Sequence, residues 1–342
     1  MDWTFLKSQP GYWREAALCA PALPILLLVG LLTGQVAYGA VAAGAAFMVG
    51  FGAVRDLRGR RWGAMLAATV GTTAAAFIGC LAGQWEIVLV LVAGAAAATC
   101  AVLALYEEDL WWVSLQIVIA LLVAGHYSGS VAAASMRAGA VFAGGAAQVL
   151  IVMILARIAP SAANRLPPSG PKPAPERRLV ISHAIRAAVC VDLALAAAWS
   201  LGLANSYWAP MTVMLVLKPG LSDTHTRGIA RLTGTLVGCA LASLYALAVA
   251  YYAPLLLIGI GLTAFAAYAL QKAHYAVLTS AVTATVVLLL SLAQHGHALT
   301  NAEHRLIATA LGGAIALIIA RIAPHRPLDQ HAPVDRVGAA AV

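Results

Sequence analysis

The side chains able to do chemistry in this chain are few, and most are cations. Lys218, Arg227 and Arg231 gather around Pro219-Gly220, while Arg137 and Arg305 are expected at the outer face. One acid, Asp192, lies near the middle of the apolar run AAVCVDLALAAAW. Cations at both mouths of a path suit the passage of an anion. For Arg227 and Arg231 the competing reading is that they only mark the inner side of a membrane. Arg137 and Arg305 run against that bias, which favours a role in the path. An acid at the depth of Asp192 costs roughly 2.5–3.5 kcal/mol on insertion, so it needs a partner or a wet cavity. Arg186, six residues away, falls on another helix face. Asp192 is therefore either a proton-coupling carboxyl or one side of an interhelical hydrogen bond.

The stretch from Tyr207 to Leu244 frames these cations. A short apolar segment holding Tyr207, Trp208 and Pro210 ends at Lys218-Pro219-Gly220. A basic loop with Arg227 and Arg231 is expected next, followed by a Gly/Ala-rich run. Proline removes an amide donor and kinks a helix, freeing carbonyls that lipid cannot satisfy. Interrupted segments of this kind point to the substrate path in transporters built from repeats. Tyr207, Trp208, Pro210, Lys218, Arg137 and Arg305 are accordingly the candidate path residues. The plainer alternative for the segment is a kinked packing helix.

Other chemistry finds little support. The five cysteines, Cys19, Cys80, Cys100, Cys190 and Cys239, all fall in apolar runs without metal-ligand spacing and read as small packing residues. His295-Gly-His297, with His304 nearby, reads as exposed loop histidines rather than a metal site. No Walker or Rossmann glycine pattern occurs, so neither a cofactor nor ATP coupling is expected. An enzyme is the least supported class, for want of a catalytic cluster.

These residues must be carried by a membrane scaffold. The chain has 342 residues, of which 62% are apolar and 10% charged. A soluble domain carries roughly 25% charged residues. Twelve apolar segments are long enough to be helices: about 14–33, 35–52, 62–83, 87–105, 111–127, 132–157, 180–202, 205–218, 229–251, 254–271, 275–293 and 304–322. The first reads as a mature helix rather than a signal peptide. The Pro-rich stretch 159–178 is a linker between residues 1–158 and 179–324, and 325–342 form a polar tail. With the N-terminus inside, 19 of the 21 Lys and Arg fall on the inner side, and only Arg137 and Arg305 do not. Both termini and the linker are then cytoplasmic. The formal charge of +8 is explained by this topology and requires no nucleic-acid partner.

The two halves look duplicated. Arg137 precedes Gly144-Gly145-Ala146 by seven residues, and Arg305 precedes Gly312-Gly313-Ala314 by seven. The pentapeptide Ala-Arg-Ile-Ala-Pro follows in both, at 156–160 and 320–324. The expected fold is an all-α polytopic membrane protein of about 12 transmembrane helices in two parallel six-helix repeats. Glu107-Glu108-Asp109 and Lys272 lie on corresponding loops and either pair across the repeat interface or are simply solvated.

A family resemblance adds to this reading. Tyr207-Trp208-Ala209, Val216-Leu217 running into Pro219-Gly220, Arg231-x-x-Gly234-Thr235-x-x-Gly238, His274-Tyr275-Ala276, and Arg305 leading into Gly312 resemble the fusaric acid resistance protein-like family of bacterial membrane proteins. The likeness covers about 180–324. Lys218 stands where the family pattern has a glutamine-like residue. The resemblance implies a bacterial inner-membrane exporter of small, often aromatic, organic acids. Plant aluminium-activated malate channels look like distant relatives, which adds weight to an anion path. Expected partners are the lipid bilayer, a small organic anion, and a periplasmic adaptor or a second copy of the chain. An anion channel and a membrane-assembly scaffold are the alternatives.

Overall fold

The computed structural model describes residues 12–159, 174–293 and 298–322. Among them the secondary structure is helical, with no strand. The helices are α1 (Trp13–Cys19), α2 (Ala22–Leu32), α3 (Val36–Gly50), α4 (Gly63–Ala82), α5 (Glu86–Tyr106), α6 (Glu108–His126) and α7 (Val131–Ile158). After the linker come α8 (Arg177–Ser200), α9 (Trp208–Val216), α10 (Leu221–Ala248), α11 (Ala253–Ala269), α12 (Tyr275–Ala293) and α13 (Ala298–Ile322). Among the described residues ten spans are long and apolar enough to cross a membrane, with α1 and α2 together forming the first. Large apolar side chains such as Ile87, Leu91, Leu236 and Leu244 point outward, as a lipid-facing surface requires. The chain is a multi-pass helical membrane protein. Each of the twelve apolar segments expected from the sequence is helical. The His295–His297 pair, most of the linker and the tail lie outside the described residues.

Three boundaries differ from expectation in ways that matter for function. Arg227 and Arg231 are not in a loop, because α10 already starts at Leu221. The polar run Ser222–Arg227 hides a helical start from a hydropathy reading, yet Asp223 in its first turn favours the helix N-terminus. Pro210 does not interrupt a helix either. It is the third residue of α9, within the first turn, where backbone amides have no intrahelical acceptor to lose. α9 is short because its chain turns extended at Leu217, ahead of Pro219. The third difference is that α13 begins at Ala298, so Arg305 sits seven residues inside it, about 10 Å deep.

Pairings recur between the halves. α4 packs on α6 and α7, and α10 packs on α12 and α13. α3 packs on α7 as α9 does on α13, and α5 on α6 as α11 does on α12. Between halves, α5 meets α8, and α1 and α2 meet α11. Small residues allow these approaches, as in many membrane helix interfaces. A Cβ added at Gly79 would lie 2.4 Å from the Leu121 carbonyl oxygen across α4–α6. One at Gly234 would lie 2.4 Å from that of Ala276 across α10–α12.

Candidate functional site

α9 spans only nine residues, about 13 Å, which is less than half of a bilayer core. The non-helical backbone at its end therefore needs internal partners, and polar side chains supply them. Arg186 on α8 donates from Nη2 to the carbonyls of Lys218 and Pro219, at 3.1 and 3.2 Å. Arg227 Nε donates to the Leu215 carbonyl at 3.0 Å. The Thr224 hydroxyl donates to the Gly220 carbonyl and accepts from the Lys218 amide. This stitching fixes Lys218 and Arg227 at the end of the molecule where α10 and α12 begin, called here the linker end.

A cavity of about 980 Å³ opens between the two halves. Its walls come mainly from α3, α6, α9 and α12, that is, the second and fifth helical segments of each half. Tyr207, Trp208, Lys218, Arg137, Arg305, Arg227 and Arg231 all line it. Pro210 and Asp192 do not. Asp192 faces α5 instead, where a Cβ on Gly94 would lie 2.6 Å from its Oδ2. Its buried Oδ1 has no hydrogen-bond partner among the described residues.

Seven cations line the cavity, since Arg55 and Lys272 join the five basic residues already named, against only three acids: Asp56, Glu108 and Asp109. Two of the acids are engaged at the linker end. Arg55 donates to Asp109 at 2.9 Å and stands 3.9 Å from Glu108. The pairing is thus within the first half and not between the acidic cluster and Lys272. Most of the cations lie over aromatic rings. Arg55 covers Trp112, Lys218 covers Trp111 and Arg227 covers Tyr275 at the linker end, at 5.2, 4.8 and 4.0 Å. Arg137 covers Tyr127 and Arg305 covers Trp208 toward the far end, at 4.7 and 4.8 Å. A ring face holds a cation without using its N–H donors, and Arg55 and Arg227 spend theirs on Asp109 and on the Leu215 carbonyl. The rest of the lining is mostly apolar, with Ile119, Met211, Leu215 and Leu289, joined by Thr72, Gln116, Thr279 and Thr285.

The sequence did not single out Arg55, Trp111, Trp112 or Tyr127 as site residues, and it marked Tyr275 only as part of the His274-Tyr275-Ala276 motif. Each takes its role in the site from a tertiary neighbour. The cationic character of the site does appear in the sequence, through Arg137 and Arg305.

Residues 193–319 match the model of the fusaric acid resistance protein-like family. The fusaric acid resistance protein-like stretch runs from within α8 into α13, in agreement with the resemblance over about 180–324. It contains Trp208, Lys218, Arg227, Arg231 and Arg305, five of the groups that shape the cavity. Arg137 and Arg55 lie in the other half, and Asp192 stands one residue before the match. No curated protein and no solved structure matches the chain.

Proposed function

We propose that this protein exports small organic anions, aromatic acids among them, across the bacterial inner membrane through the cavity between its halves. The observation that carries the proposal is the cavity's charge: seven cations against three acids, with Arg55 already holding two of those acids. In an otherwise apolar membrane interior, such a wall favours anions and disfavours cations. Both termini and the linker end face the cytoplasm, since nearly all the Lys and Arg outside the helices lie there. The recurring helix pairings, with Gly144 and Gly312 at matching places, support two parallel six-helix repeats with the path at their interface. Asp192 supplies proton coupling from outside the path, through the α5–α8 contact.

Purified protein in liposomes tests this reading. A labelled aromatic acid such as benzoate enters or leaves protein-bearing vesicles faster than empty ones, and a labelled organic cation does not. Asp192→Asn flattens the pH dependence of that flux without abolishing it. Equal fluxes with and without protein, across aromatic and dicarboxylic acids, rule out the transport role. An unchanged pH profile in Asp192→Asn rules out the coupling role alone.

A further inference from the structure

Two cations of the cavity differ from the rest. Arg231 and Arg305 are 5% and 3% exposed, both line the cavity, and the Nε of each is buried without a hydrogen-bond partner. Neither forms an ion pair with an acid among the described residues: Glu108 and Asp109 are held by Arg55, and the cavity's third acid, Asp56, is paired with neither arginine. The two arginines stand on α10 and α13, which pack against each other with Cys239 Sγ at 3.8 Å from the Ala302 carbonyl oxygen, and both face the same cavity. Arg305 lies with its face over Trp208, so its donating edge remains available. Thr279 lines the same wall, and its buried hydroxyl is also without a partner. Burying two like charges with neither of them paired is costly, and an anion between them relieves both the repulsion and the unmet hydrogen bonds.

We propose that Arg231 and Arg305 together form the carboxylate-binding site of the cavity, with Thr279 as a further donor and Trp208 fixing the Arg305 plane. A guanidinium presents paired N–H groups that match the two oxygens of a carboxylate. The neighbouring wall of Met211, Leu215 and Leu289 suits the apolar body of an organic acid rather than a small hydrated ion. Arg137, Lys218 and Arg227 then serve the approaches, and the pair from α10 and α13 is where the anion rests. This assignment rests on the reading of the cavity as an anion path and names the ligand class at its centre.

The test is ligand-induced stabilisation of the full-length protein in detergent, using benzoate and its neutral counterpart benzamide. Benzoate raises the melting temperature of the wild type, and benzamide does not. Arg231→Gln and Arg305→Gln each weaken the benzoate dependence by about thirtyfold or more, as expected when one partner of a buried charge contact is removed. Arg137→Gln retains most of it. In low-salt buffer free of carboxylates, the two single variants melt no lower than the wild type, because losing one charge relieves the repulsion. Arginines that were merely structural would instead lower the melting temperature there. Benzoate stabilisation that survives in both variants overturns the site, as does the absence of stabilisation of the wild type by either benzoate or succinate. Flux measured in parallel separates the two claims. Flux that persists unchanged in both variants sinks the site and leaves the transport reading standing. Charge-dependent binding without any flux does the reverse.

Discussion

Gly44→Trp stops anion flux while the protein remains folded. Gly44 lies on α3 and lines the cavity, and a Cβ placed there meets nothing within 4 Å. An indole at that position therefore extends into empty space between the halves rather than into a neighbouring helix. The helix itself is not harmed, because glycine is about the poorest non-proline residue for a helix interior. Flux is expected to fall by more than about tenfold, which requires only about 1.4 kcal/mol added to the barrier. Gly139→Trp is the matched control. It is exposed on α7, outside the cavity lining, and also has open space at its Cβ. Size-exclusion and melting profiles of both variants match the wild type, and only Gly44→Trp loses flux. Full flux in a well-folded Gly44→Trp protein would place the path elsewhere.

The opposite behaviour is expected at the close helix contacts. Gly312→Ala destabilises the protein, although a glycine-to-alanine change inside a helix ordinarily stabilises by about 1 kcal/mol. The added Cβ would lie 2.3 Å from the Ala209 carbonyl oxygen and 3.0 Å from the Thr212 Cβ. α9 cannot yield easily, because its linker end is held by Arg186 and Arg227. Gly144→Ala meets the same obstacle in the first half, 2.0 Å from the Ala42 carbonyl oxygen on α3. Overpacking of this kind costs about 1–3 kcal/mol or more, enough to reverse the sign of the helix-propensity gain. Thermal unfolding in detergent should show both variants well below the wild type, with Gly139→Ala unchanged or slightly higher. Melting temperatures equal to wild type for Gly144→Ala and Gly312→Ala would mean that α7 and α13 do not pack this closely.

The two glycines of the second prediction were visible in the sequence as members of matching motifs, and the twelve helical segments were visible as apolar runs. Both signals are local and repeat along the chain. What the sequence hid depends on neighbours far apart in the chain. Pro210 looked like a helix breaker, but its place in the first turn of α9 makes it harmless, and the break falls at Leu217. Arg227 and Arg231 looked like loop charges because the residues before them are polar. In the folded chain that polar run is the start of α10, and Arg231 is buried against the cavity. The depth of Asp192 was legible, while its direction was not. Helical phase excludes Arg186 as a partner but cannot reveal Gly94 on α5. Tyr275 was visible only as part of the His274-Tyr275-Ala276 motif and Trp111 carried no signal at all; the fold alone brings Arg227 and Lys218 over their rings.

Chemical block of a single cavity residue is the most direct measurement of the claim that organic anions pass between the halves. Met211 on α9 lines the cavity and is partly accessible, whereas all five native cysteines are buried. Met211→Cys protein in liposomes should carry labelled benzoate at close to the wild-type rate. A negatively charged methanethiosulfonate reagent should then modify that cysteine, more slowly when benzoate is present, and stop the flux within the same preparation. Flux that continues unaltered after complete modification of Cys at this position would contradict the account.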